Sequence, residues 1–186
     1  EYALIHAKQV LNEFADRIIF VNGNFADIKE IISAAGLDQI SGIVLDLGLS
    51  SFQLNAEDGF SFMKDTPLDM RAFKKDTLTA SEILNSYSKY ELTELFENYG
   101  EIGNAERLSD AIYKNRKIKK IETTFDLLNI VTDEYSLGNK NKIDFLAKIF
   151  QSLRIEVNSE LKNLEKVLTD STELLIRGGR IVTVSY

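Results

Sequence analysis

Near the start of the chain Leu4, Ala7, Leu11 and Phe14 recur at helical spacing, and the β-rich run RIIFVNGNF that follows ends in an Asn-Gly turn signal. The pattern predicts a helix and then a strand beginning at about Ile18. FADIKEIISAAGLDQI is helical again, with Gly36 as its stop, and it leads into an apolar strand over residues 43–47. Helices alternating with apolar strands predict βαβ units around a parallel sheet, so the fold class is α/β. Beyond Pro67 the texture becomes polar and helical: Thr79 or Ser81 caps ASEILNSY, Ser88 and Glu91 form an S-x-x-E capping box, and Gly100 supplies the stop. ERLSDAIYKNRK and TTFDLLNIVTDEY continue the helices, and YSLGNKNK is the most linker-like segment, so residues 72–141 read as an all-helical insertion between 1–71 and 142–186. A long helix is predicted over residues 144–175, with Phe150, Leu153, Val157, Leu161, Leu164 and Leu168 as a core stripe. IRGGRIVTVSY closes the pattern with a Gly-Gly turn and a β-branched strand over residues 180–186.

Composition narrows the class. The 186 residues are 44% hydrophobic and 27% charged, enough for one core and a small second lobe. Cysteine is absent and no basic-then-apolar segment opens the chain, so a disulfide framework and secretion are not indicated and a cytoplasmic setting is the expectation. The longest apolar runs, LDLGL and ELLIRGG, fall far short of the ~20 residues a membrane span needs. A net charge of −7 argues against a surface that coats nucleic acid indiscriminately. One segment runs the other way: KNRKIKK carries Lys114, Arg116, Lys117, Lys119 and Lys120, which could dock a phosphate backbone or simply solvate a helix end.

With one histidine and no cysteine, a thiol nucleophile is excluded and a His-rich zinc site is disfavoured; His6 reads as a surface or partly packed residue. Neither G-x-x-x-x-G-K-[ST] nor G-x-G-x-x-G occurs. What stands out is the stretch GIVLDLGLSSFQL, an apolar strand ending on Asp46, followed by Asp58, Asp65 and Asp69 in EDGFSFMKDTPLDMR. Ligands of open parallel sheets bind outside the carboxyl ends of the strands, which suits Asp46. Asp-x-Gly is also ordinary turn chemistry, and Asp69 with Arg71 could be a loop-pinning salt bridge. Asp46, Asp65 and Asp69 could together serve Mg²⁺-dependent phosphoryl transfer.

DLGLSSFQL, GFSFMKDTPLDMR, LRIEVNSELKNLEKVL and GGRIVTVSY stand in the order and spacing of the MraW-type S-adenosylmethionine-dependent methyltransferases, and the chain resembles that family over nearly its whole length. The resemblance implies a Rossmann-like class I methyltransferase sheet, incomplete here, with residues 72–141 as a helical substrate-recognition domain. It also implies methyl transfer to the exocyclic N4 of a cytosine in small-subunit (16S) ribosomal RNA. S-adenosylmethionine is the implied cofactor, contacted by Phe25, Asp46 and Gln53; no resident metal is expected, and a homodimer is left open. Asp46, Asp69 and Arg71 are the candidate catalytic residues: Asp46 borders both cofactor and target amine, and the other two order the loop that closes over the base. RNA contact falls to the five basic residues of KNRKIKK.

The sequence departs from the family pattern in places. DFLAK, residues 144–148, replaces a His-Pro-Ala-x-Arg run and keeps only its basic end, and Phe52 stands where many relatives have proline. A strand with a Gly-rich turn and a second, acid-ended strand are expected ahead of Glu1, with further strands beyond Tyr186. The expectation is therefore a piece of a longer enzyme that by itself is inactive and binds cofactor weakly or not at all; the alternative is a shortened, non-catalytic RNA-binding homologue.

Overall fold

The computed structural model describes residues 2–48, 58–136 and 138–185. Along the chain come α1 (Tyr2–Val10), 3-10 turns at Asn12–Arg17 and Phe25–Asp27, α2 (Ile28–Ala34), β1 (Ile40–Asp46), α3 (Ala80–Ser86), α4 (Lys89–Gly100), α5 (Ala105–Asn115), α6 (Thr124–Glu134), α7 (Asn139–Val157), α8 (Glu160–Leu174) and β2 (Leu175–Val184). They form two compact units, Glu1–Gly48 with Leu161–Tyr186, and Leu49–Glu160.

In the first unit β1 and β2 pair in parallel, as the alternation of helix and apolar strand predicts, with Gly42 opposite Arg180 and Asp46 opposite Val184. One face is covered, burying Ile43, Leu45 and Val167 together. On the other face the register partners Val44 and Val182 are 72% and 51% exposed. Gly178 and Gly179 do not precede β2 but form an irregularity within it, where the register jumps between Ile40 and Gly42. Gly178 takes φ +88°, and a Cβ on Gly179 would lie 2.8 Å from Leu175 and 3.2 Å from the Ser41 carbonyl.

The strand predicted at Ile18 does not form. Ile18 has extended backbone angles, but residues 18–24 join no sheet ladder among the described residues, and Ile19 and Val21 are exposed. A β-rich segment becomes a strand only when a neighbour completes its hydrogen-bond ladder.

Helices α3 to α7 build the second unit around Leu92, Phe96, Ile112, Leu127, Leu146 and Ile149, all fully buried. Capping boxes at Thr79 with Glu82 and at Ser88 with Glu91 start α3 and α4. Gly100 is not the left-handed stop of α4; Glu101 takes that conformation at φ 48°. The glycine serves packing instead, since a Cβ there would lie 3.1 Å from the Lys148 carbonyl of α7. Packing also draws its dividing lines elsewhere than the sequence texture at 72 and 141. Phe60, Leu68 and Met70 join the helical core, as do Leu146, Ile149 and Phe150 of α7.

The single long helix predicted over residues 144–175 is two helices. α7 stops at Val157, Ser159 takes φ 49°, and α8 restarts at Glu160. Phe150, Leu153 and Val157 are core as expected, whereas Leu161 and Leu168 beyond the break are exposed.

Candidate active site

β1 delivers Asp46 to its carboxyl end, where the ladder closes with the Leu47 amide donating to the Val184 carbonyl at 2.9 Å and the chain leaves through Gly48 at φ +118°. Asp46 is exposed and its carboxylate engages no hydrogen bond or ion pair among the described residues. A charge presented at the ligand edge of a parallel sheet and left without an internal partner can accept from hydroxyl or amine groups of a bound molecule.

Phe25 lies in the same unit on a turn fixed from three sides. Asn24 Oδ1 accepts from the Ala26 amide at 2.9 Å, Ala26 itself is buried, and Lys166 of α8 donates to the Ala26 carbonyl. Lys166 also pairs with Asp170 at 2.9 Å, and Lys29 of α2 pairs with Asp170 and Glu173. Lys166, reinforced by Lys29, holds the Asp170 carboxyl below the usual carboxylate range. Phe25 itself is 39% exposed on this hydrogen-bonded turn. Sequence reasoning missed Lys166, whose bond to Ala26 spans 140 residues. The third expected cofactor contact, Gln53, lies outside the described residues, as does Phe52.

The acids of the second unit are differently employed. Asp69 receives Arg71 in a bidentate pair, Nε at 2.8 Å and Nη2 at 2.9 Å, and Arg71 Nη1 donates to the carbonyls of Lys74 and Asp76. Lys74 Nζ bridges Asp58 at 2.7 Å and Asp69 at 3.0 Å. The Arg71 guanidinium therefore holds the Asp69 carboxyl far below its ordinary value, against the opposing effect of partial burial. Asp65 accepts from the Phe125 amide in the first turn of α6. The structure thus brings Asp69 and Arg71 together, with Asp58 and Lys74, in one neutralised cluster. Among the described residues no group of three or more acidic, cysteine or histidine side chains is placed to hold a metal ion.

The basic segment after α5 divides in the same way. Arg116 Nη1 donates to the carbonyls of Leu84 and Tyr87 at 3.0 and 2.6 Å, stitching α5 to the end of α3. Lys119 pairs with Asp126 at 2.6 Å, and Lys120 lies 3.6 Å from Glu122. Burial works to raise the Asp126 pKa, but Lys119 and the amides of Glu122 and Thr123 outweigh it and hold the carboxyl low. Lys117 rests over the Tyr113 ring at 4.2 Å, and Lys114 has no ion-pair partner among the described residues. Lys114 and Lys117 are therefore the cations of the segment most open to a phosphate, beside an 86% exposed Ile118.

Comparison with known proteins follows the same residues. The chain is 41% identical over 187 residues to a protein of Desulfosudis oleivorans named ribosomal RNA small subunit methyltransferase H, covering 99% of this chain and 60% of the relative. It is 39% identical to the protein of the same name from Persephonella marina, covering 100% of this chain and 64% of that one. Ribosomal RNA small subunit methyltransferase H 1 of Acholeplasma laidlawii is 42% identical, over 100% and 60% of the two chains. The chain thus spans a little over three-fifths of such relatives at most. The family model for the MraW methylases matches residues 1–186: the chain belongs to the MraW methylase family.

Proposed function

We propose that the full-length protein transfers a methyl group from S-adenosylmethionine to the exocyclic N4 of a cytosine in small-subunit ribosomal RNA. The observation that carries this reading is the Asp46 carboxylate, exposed at the end of β1 and engaged with no described residue, in a chain of the MraW methylase family. The donor, when bound, supplies an activated sulfonium methyl. Phe25 offers an aromatic face for the adenine, and Asp46 accepts from polar groups of the cofactor.

The cytosine amine is a poor nucleophile because its lone pair is delocalised into the ring. An acceptor on its N–H groups stabilises the positive charge that builds as the carbon–nitrogen bond forms, and Asp46 is the group suited to that task. The base must leave its stack to be reached. Asp69, Arg71 and Lys74 hold the loop over residues 69–76 in one shape, consistent with a role in ordering the substrate side. The helical unit is the RNA-recognition part on this reading, with Lys114 and Lys117 on the phosphates.

Calorimetry on the full-length protein tests the cofactor half. S-adenosylmethionine should bind saturably without added Mg²⁺, and Asp46→Ala should weaken it; binding of Mg²⁺ with no binding of S-adenosylmethionine would overturn the reading.

A further inference from the structure

Met70 is a non-glycine residue at φ 60°, a left-handed conformation that L side chains adopt at a cost, and its side chain is completely buried. Ser159, at the break between α7 and α8, is a second such residue at φ 49°. Asn158 lies between them in space. Its Nδ2 donates to the Met70 carbonyl at 2.8 Å and to the Arg154 carbonyl at 2.9 Å, while its Oδ1 accepts from the Ala72 amide at 2.7 Å. One side-chain amide thus pairs with the backbone on both sides of Arg71, as a neighbouring strand would, and ties it to the last turn of α7. On the far side the Met70 amide donates to the Asp58 carbonyl at 2.7 Å. Strain of this kind persists only where the surroundings over-determine it, and it collects at functional sites.

We infer that Asn158 is a positioning residue for methyl transfer: by clamping the Met70 carbonyl and the Ala72 amide it fixes the left-handed turn that aims Arg71 into its bond with Asp69. The inference rests on the methyltransferase reading above. Asn158 need touch neither cofactor nor base, because it acts through Arg71. A misplacement of about 1 Å in such a loop can cost on the order of 100-fold in rate.

A double-mutant cycle in the full-length enzyme tests it. Asn158→Ala is expected to lower kcat for ribosomal RNA roughly 10- to 100-fold with cofactor affinity unchanged. Added to Arg71→Ala it should cost less than about 2-fold more, because the side chain it positions is already gone. Asn158→Asp, which keeps the acceptor for Ala72 and loses the donor, should fall between wild type and Asn158→Ala, and carries the same cycle if the alanine variant melts below assay temperature. Losses that multiply across the cycle, or a wild-type rate for Asn158→Ala, would overturn the inference. Amide exchange at Ala72 needs no activity: it should quicken at least 10-fold in Asn158→Ala and stay protected in Asn158→Asp, and equal rates in all three would equally overturn it. If the unaltered enzyme moves no methyl group to RNA, the functional reading falls while the exchange rates still decide whether Asn158 fixes the turn.

Discussion

Leu92, Phe96, Ile112 and Ile149 of the helical unit are shut off from solvent, whereas in the sheet unit the register partners Val44 and Val182 stand open and Ile43, Leu45 and Val167 form the buried cluster. The acids singled out from the sequence differ in a similar way. In the helical unit Asp58, Asp65, Asp69, Arg71 and Arg116 are all engaged by neighbours. In the sheet unit the Asp46 carboxylate at the strand end is engaged by none among the described residues. A loop whose charges are paired, as around Asp69, suits the presentation of one fixed shape, and an unengaged carboxylate such as Asp46 suits contact with a ligand.

The comparison can be broken most severely at Asp46. Asp46→Asn in the full-length enzyme should lower the methyl-transfer rate ~100-fold or more, by analogy with loss of one transition-state partner. Because the side chain is exposed, its thermal midpoint should stay at the wild-type value. Next comes packing: Phe96→Ala should destabilise the helical unit by about 3–5 kcal/mol, read from denaturant unfolding. Thr79→Ala, which breaks a capping box, should cost about 1 kcal/mol in the helical unit in the same measurement.

Acid sharpens the comparison further. The folded Asp69 pKa lies below its unfolded value of about 3.9, so its contribution is complete above about pH 4 and is lost as pH falls through the folded value. Asp69→Asn should therefore flatten the acid-side fall in thermal midpoint, and an unchanged profile would mean the Asp69–Arg71 pair contributes nothing. The smallest effect is expected on the surface. Replacing Lys114 and Lys117 by alanine should reduce the slope of log affinity for ribosomal RNA against log salt by about 1.5 to 2, and replacing Lys119 and Lys120, already paired with acids, should change it less.

How much of this was legible in the sequence depended on the span of the interaction. The capping box at Ser88 is a contact over three residues, and β1 is a contiguous apolar run ending on its acid, so both could be read directly, whereas Thr79 was one of two caps the sequence left open. The break at Asn158 interrupts an unbroken apolar stripe and is fixed by bonds to Met70 and Ala72, 88 and 86 residues away. Nothing local announces it. Ile18 shows the converse, a segment with strand-forming residues and no ladder partner. In the site, Asp46 was legible as a strand terminus, but the saturation of Asp69 by Arg71 and Lys74, and the hold of Lys166 on the turn under Phe25, needed coordinates to be seen.

One experiment joins these strands: transfer of labelled methyl from S-adenosylmethionine to small ribosomal subunits from a strain lacking the gene, by the full-length enzyme and its Asp46→Asn variant, with the modified base mapped. N4-methylcytosine formed by the wild type and nearly absent with the variant is the expected result. Label on any other base, or a variant that works at the full rate with normal cofactor affinity, would contradict it.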